Sequence, residues 1–282
     1  MTALRITSSW PVPNVSAAAL RAGRVTDTIG DVDHRQRLAS ISKPIATWAM
    51  LVAVEEGVIA LDTPIGQDGC TLKHLLSHAG GYPFDGMTPV AKPGRTRIYS
   101  NTGFDLATEA IEYATGMAFA DYLNEAVFEP LGMTASELRG SAAKDVHSSL
   151  ADICIFVEEV RTPTLLSAQT SDDATSIHYP SLAGIVPGVG RYTPCPWGLG
   201  FELRGDKQPH WTGALNSART FGHFGGAGTM FWIDPDADLA LIALTDRPFG
   251  AWALSAWPDL SDTVITEFAN DEWIAQADMV TR

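Results

Sequence analysis

Apolar residues gather in runs whose spacing changes along the chain. Val15-Ser16-Ala17-Ala18-Ala19-Leu20 and Arg24-Val25-Thr26-Asp27-Thr28-Ile29-Gly30 flank Arg21-Ala22-Gly23. Two short runs around a glycine turn predict a β-hairpin. Asp31 to Arg37 is a polar connection. Ile45 to Val54 is apolar almost all round, which predicts a buried helix. Pro44 suits its first turn, and Gly57 after Glu55-Glu56 fits a left-handed cap.

The middle of the chain reads as mainly helical. Thr71 to His78 is a short helix stopped at Ala79-Gly80-Gly81. Asn101 to Thr115 is amphipathic, with Phe104, Leu106, Ala107, Ala110 and Ile111 near one face and Gly116 as its stop. Ala118 to Phe128 and Ser148 to Val160 are further helices. Residues 165–195 are rich in Ser, Thr, Asp and Pro and poorly periodic, which predicts a mobile stretch suited to be the wall or lid of a site.

Strand patterns resume with Gly198 to Leu203. Gly228 to Ile233 and Leu239 to Thr245 form a second hairpin over Asp234-Pro235-Asp236-Ala237-Asp238, and Trp252 to Asn270 closes the chain as a helix. Strands thus lie at both ends and helices between them. The economical fold is α/β, of the α+β kind: one antiparallel sheet built from both chain ends, flanked by helices, with an inserted mainly helical lobe. A single domain over residues 1–282 is expected, with a sheet lobe of about 1–61 and 196–282 and a helical lobe of about 62–195. The cleft between lobes is the expected site.

Composition narrows the function classes. The 282 residues, 45% apolar, suffice for a sizeable core. A net charge of −14 repels phosphate backbones and offers no basic patch to anionic lipid, so neither nucleic acid nor membrane is an expected partner. Cys70, Cys154 and Cys195 are widely spaced, without a C-x-x-C pair, and read as buried free thiols. The first residues hold no signal-peptide pattern and no transmembrane span is read, so a cytoplasmic location is expected.

The candidate chemistry starts at Ser40-Ile41-Ser42-Lys43. At about 100° and 1.5 Å per residue, positions i and i+3 of a helix share a face one turn apart. A serine hydroxyl needs a base beside it, and a lysine serves only when burial or a neighbouring cation lowers its pKa. Alone, the pattern is met by any capping serine followed by a solvated lysine. Two other stretches stand out. Tyr99-Ser100-Asn101 follows the Pro93-Gly94 turn, and Phe221-Gly222-His223-Phe224-Gly225-Gly226-Ala227-Gly228 leads into the strong strand pair. His74 and His78 are spaced i, i+4 but lack the glutamate of a metalloprotease helix, so no metal is expected. The glycines of 222–228 precede a strand, which disfavours a phosphate loop. Trp197 and Trp211 are expected in the core, and Arg97 and Asp105 as solvated or structural residues.

With these motifs in this order, the sequence resembles the serine β-lactamase and penicillin-binding-protein superfamily, on the branch of class C β-lactamases and their esterase relatives. Ser40-x-x-Lys43 matches S-x-x-K, Tyr99-Ser100-Asn101 matches Y-x-N, and His223-Phe224-Gly225 sits where the family carries K-T-G or its H-x-G variant. Leu72 to His78, Pro130-Leu131-Gly132-Met133 and Ile233-Asp234-Pro235 match the flanking text. The resemblance runs from about Leu38 to Asp246 and implies a β-lactamase-like fold. It also implies an acyl-enzyme on Ser40, proton transfer shared by Lys43 and Tyr99 with the choice of base between them open and a tyrosinate stabilised beside a lysine ammonium, and Asn101 holding Lys43 or a substrate amide oxygen. The backbone N–H groups of Ser40 and Gly226 are the candidate oxyanion donors. No cofactor is implied, and the implied partner is a small acyl substrate.

The departures matter as much. His223 replaces a lysine and is largely uncharged at neutral pH, and Phe224 replaces a hydroxyl with an apolar wall. Both favour small esters or amides over penicillins and D-Ala-D-Ala ends. The expected function is a carboxylesterase-like serine hydrolase. A true β-lactamase or D-Ala-D-Ala-type peptidase, or a catalytically weak binding protein on the same fold, stands as the alternative.

Overall fold

The structure is a computed structural model that describes residues 2–269. The N-terminal strands β1 (Val15–Arg21) and β2 (Arg24–Ile29) form the expected hairpin. Its two turn residues, Ala22 and Gly23, both have positive φ, which matches the right-handed twist of the flanking strands. The short β3 (Gln36–Arg37) leads to a 3-10 turn, Ala39–Ile41, and then to helix α1 (Ser42–Glu55). Further helices follow as α2 (Leu72–Leu76), α3 (Asn101–Thr115), α4 (Phe119–Leu123) and α5 (Glu129–Leu131). After them come β4 (Glu137–Leu138), β5 (Val146–Ser148), α6 (Leu150–Arg161) and α7 (Ala168–Ala174). The chain continues through β6 (Gly184–Val186), β7 (Gly190–Tyr192), β8 (Glu202–Leu203), β9 (Phe221–Gly225), β10 (Thr229–Asp234), β11 (Leu239–Thr245) and α8 (Ala251–Phe268).

The main sheet has the order β2-β1-β11-β10-β9-β8, with every pair antiparallel. Period-2 alternation sorts its central strands into two apolar faces. Ala18, Leu20, Phe231, Ile233, Ala240, Ile242 and Leu244 face a core shared with α1 and α6. Ala17, Ala19, Met230, Trp232, Leu239, Leu241 and Ala243 face a second core with α8. All of β11 is buried, as a strand covered on both faces must be. Helix α1 is buried from Ser42 to Leu51, which explains its all-round apolar pattern.

Several expectations are corrected. The Ala118 to Phe128 helix is broken, because α4 passes into a π-turn at Asn124–Phe128. The helix expected to His78 stops at Leu76, and His78 itself has φ +56°. Of Gly198 to Leu203, only Glu202 and Leu203 form a strand. Residues 165–195 are not structureless: they hold α7 and the β6–β7 hairpin. Their weak periodicity reflects short elements capped by polar side chains, as where Ser167 accepts the Thr170 N–H. Asn270, the expected end of α8, lies outside the described residues.

The turn before α1 is held from two sides. Thr229 Oγ1 donates to Leu38 O at 2.6 Å, and Leu38 N–H donates to Val146 O at 2.9 Å. Ser42 Oγ donates to Ala39 O and accepts the Val146 N–H. Gly225 lets β9 approach, since a Cβ there would sit 2.2 Å from Leu38 O. Replacing Thr229 by Val keeps the shape and orphans a buried carbonyl, so unfolding free energy will fall by about 1–3 kcal/mol. Urea denaturation with an unchanged slope measures this; an unchanged midpoint would show that the contact holds nothing.

Candidate active site

Ser40 is the middle residue of the 3-10 turn, one turn before Lys43 in the first turn of α1. The residue before it, Ala39, has φ +51°, a conformation costly for a residue with a Cβ and one found at positioned nucleophiles. Lys43 is fully buried. Its Nζ lies 2.7 Å from Asn101 Oδ1, 3.0 Å from Ala143 O and 3.4 Å from Ser40 Oγ. Burial lowers its pKa to about 7; Asp105 and Asp85 partly oppose that shift, and Lys144 adds to it. A neutral amine has two N–H donors and one lone pair. The two carbonyl oxygens take the donors, which leaves the lone pair for the Ser40 hydroxyl proton.

Asn101 begins α3, behind the Ser100 cap whose Oγ accepts the Gly103 N–H. Its Nδ2 donates to Asp85 Oδ1 at 3.1 Å. That bond turns the amide oxygen toward Lys43. Asp85 and the Ala143 carbonyl were not singled out in the sequence; the first sits in an unremarkable Pro-Phe-Asp-Gly turn, and the second is a main-chain atom with no sequence signal.

Tyr99 and His223 face each other, with Tyr99 Oη 3.1 Å from His223 Nε2. His223 Nδ1 accepts the Phe224 N–H at 2.7 Å, so the proton of a neutral ring lies on Nε2 and is donated to Tyr99 Oη. Burial, with Lys43 adding repulsion, pushes the His223 pKa down to about 3. Burial raises the Tyr99 pKa well above its ordinary value, against an opposing pull from the Ser40 side chain. These surroundings disfavour a tyrosinate beside the lysine. Tyr99 is a neutral hydroxyl, because its surroundings are dry and apolar: Trp197, His78 and Phe84 have ring centroids 5.8, 4.4 and 5.9 Å from its own. Burial thus favours the neutral form of both Lys43 and Tyr99.

His78, expected to be structural, is buried against Tyr99 and Phe104. Its Nδ1 accepts the Ser100 N–H, which fixes the connection that carries Tyr99. Arg97 is not solvated; it is buried and donates to the carbonyls of Cys195, Ser77, His178 and Tyr179. Asp105 accepts the Ser141 hydroxyl. Trp211 is core, while Trp197 is both buried and on the wall of the site. Gly225 is buried against the nucleophile turn, and Gly226 is exposed and lines the site. Among the described residues no cluster of His, Cys, Asp or Glu is arranged to hold a metal.

A cavity of about 240 Å3 opens on Ser40, Tyr99, His223 and Gly226. The rest of its lining includes Phe84, Trp197, Phe224, Phe249 and the β6–β7 tip, Val186-Pro187-Gly188. Residues 165–195 thus supply a wall. Phe84 and Phe249 were not anticipated, since nothing in their local text marks them.

This arrangement coincides with a family match. The beta-lactamase family model matches residues 8–261. The chain belongs to the beta-lactamase family. It is similar to a crystal structure of a beta-lactamase from Mycobacterium bovis, with 46% identity and a TM-score of 0.94 over 95% of this chain and 100% of that one. EstCE1, described as a hydrolase with promiscuous acyltransferase activity, shares the fold at 19% identity and a TM-score of 0.73, over 93% of this chain and 96% of that one. Penicillin-binding protein 4* of Bacillus subtilis is 26% identical over 36% of this chain and 30% of its own length. The chain therefore spans less than a third of that curated relative. Among the described residues no helix is long and apolar enough to cross a membrane.

A protonated Lys43 cannot accept the Ser40 proton, and its pKa is lowered to about 7. Labelling of Ser40 by a fluorophosphonate will therefore rise about tenfold per pH unit on the acid side and level off above neutrality. The rate constant measured across buffers shows the limb, and Lys43→Arg will remove it. A flat wild-type profile through neutral pH would contradict Lys43 as the base.

Proposed function

We propose that the protein is a serine hydrolase that works through an acyl-enzyme on Ser40, with small uncharged esters or amides as its substrates. The observation that carries this reading is the Lys43 amine, whose donors are occupied by Asn101 Oδ1 and Ala143 O while its remaining position meets Ser40 Oγ.

In the first step Ser40 Oγ bonds to the substrate carbonyl carbon as its proton passes to Lys43 Nζ. The carbonyl oxygen becomes an oxyanion beside the backbone N–H groups of Ser40 and Gly226. A donor in such a position is worth about 10²–10³ in rate. The intermediate collapses, the bond to the leaving oxygen or nitrogen breaks, and the proton held on Lys43 returns to that atom. The neutral Tyr99 hydroxyl, polarised by His223, is the donor on that path. Water then repeats the sequence on the acyl-enzyme in reverse roles, giving the acid and free Ser40.

The neutral His223 supports the preference for esters. A buried imidazole with its pKa pushed down to about 3 carries no charge to pair with a substrate carboxylate. The 46% identity to the Mycobacterium bovis protein described as a beta-lactamase supports a second reading, in which β-lactams also acylate Ser40.

Intact-mass measurement after fluorophosphonate treatment tests the reading. One adduct on the wild type and none on Ser40→Ala is expected; a folded wild type without an adduct would sink it. Ser40→Ala will abolish turnover of p-nitrophenyl esters, and Lys43→Ala will lose nearly as much, because the pair acts as a unit. His223→Lys will speed acylation by carboxylate-bearing β-lactams, read by stopped-flow absorbance. An unchanged rate would count against the part assigned to His223.

A further inference from the structure

The polar side chains lining the cavity form one cluster. Tyr99 Oη meets His223 Nε2, and Lys43 Nζ, 3.4 Å from Ser40 Oγ, lies 4.6 Å from the Tyr99 ring centroid. The remaining lining side chains, including Phe84, Trp197, Phe224, Phe249, Val186 and Pro187, are aromatic or aliphatic, and among the described residues no Asp, Glu, Lys or Arg lines the cavity. Part of the lining is an aromatic stack. Phe224 and Phe249 lie 4.7 Å apart between ring centroids, and Trp257 backs both at 5.8 and 5.2 Å. Trp211 supports Phe224 from 5.5 Å. The hairpin tip rests on the same stack, because a Cβ on Gly188 would sit 2.7 Å from Phe249 Cε1. Phe249 and Val186-Pro187-Gly188 together form one part of the cavity wall.

We infer that this cavity is an acyl subsite for an uncharged apolar group of aryl or medium-chain size, such as a benzoyl or hexanoyl group. The inference rests on the acyl-enzyme reading and adds the substrate class to it. An apolar cavity of about 150 Å3 is enough for benzene, so about 240 Å3 takes an aryl ring with its carbonyl or a chain of comparable volume. The acyl group stays on Ser40 through both chemical steps, whereas the leaving group departs after the first. A wall that holds the acyl group therefore contributes in both transition states, whereas one that holds the leaving group contributes in the first alone. A terminal carboxylate would be stripped of water there without a partner, which is strongly unfavourable.

The test is kcat/KM of the full chain on two ester series. One varies the acyl group of p-nitrophenyl esters through acetyl, butyryl, hexanoyl, octanoyl and benzoyl, with a succinyl monoester matched to butyryl. The other varies the alcohol of acetate esters from ethyl to hexyl. In the first series the expected rise is about fourfold per methylene up to hexanoyl, with no further gain at octanoyl. Benzoyl is expected near hexanoyl, and succinyl about a hundredfold below butyryl. The alcohol series is expected to be nearly flat.

Val186→Trp will move the optimum to shorter acyl groups and Phe249→Ala to longer ones, and Phe249→Leu gives the same shift at smaller cost to packing. A flat acyl series with fluorophosphonate labelling intact overturns the subsite alone. So does a rise confined to the alcohol series, or succinyl turned over as well as butyryl. Absence of both labelling and ester turnover overturns the acyl-enzyme reading, and the subsite with it.

Discussion

Everything in the site depends on one buried amine. Lys43 sits in the first turn of a helix with no solvent around it, between Asn101 Oδ1 and Ala143 O. Burial lowers its pKa from the ordinary 10.5 to about 7. The unfolded chain therefore binds the extra proton between those values, so stability from this group rises with pH across that window and is lowest below it. The same burial that carries this cost favours a neutral amine near neutral pH. The opposition of Asp105 and Asp85 sets how far the shift goes. Without those carboxylates the amine would be neutral over a wider range but weaker as a base.

A lowered amine pKa matters to Ser40 only if the hydroxyl is held against it, and the main sheet and the small β3-β5-β4 sheet do the holding. The turn bearing Ser40 is pinned by Thr229 of β10, by Val146 of β5 and by the bare backbone of Gly225 in β9. These contacts join residues far apart in sequence. They explain why a glycine ends the third motif: the Leu38 carbonyl occupies the space a side chain would need. They also explain how Ala39 is kept at positive φ, since a strained residue persists only where its surroundings over-determine it.

Local text carried much of the architecture. The Val15–Ile29 hairpin, the apolar helix after Lys43, the Asn101–Thr115 helix and the β10–β11 hairpin could all be read from periodicity and turn residues. Ser40, Lys43, Tyr99, Asn101 and His223 could be read from motif spacing, and the structure brings them together. What could not be read is what depends on distant surroundings. Whether Tyr99 is ionised is decided by the rings of Trp197, Phe84 and His78, from three other segments. The orientation of Asn101 is decided by Asp85, and the second partner of Lys43 is a main-chain oxygen. Residues 165–195 lack periodicity because their elements are too short to show any, yet three of them line the cavity.

The third motif shows how one substitution changes what a shared site can select. A lysine at position 223 would place a second ammonium near Lys43, lowering the latter's pKa further while offering a partner to a substrate anion. Histidine removes that charge, and with it the reason to bind a carboxylate. Burial then keeps the ring neutral, because Lys43 adds repulsion to the desolvation that already disfavours the imidazolium. A neutral ring with Nδ1 committed to the Phe224 N–H can only donate from Nε2, so it polarises Tyr99. The position thus carries a neutral donor to Tyr99 in place of a cation. Phe224, stacked on Phe249 and Trp257, turns the vacated space into an apolar wall. Charge removal and wall building act in the same direction on the cavity, since both make it less able to solvate a carboxylate, and the two together disfavour one more firmly than either alone.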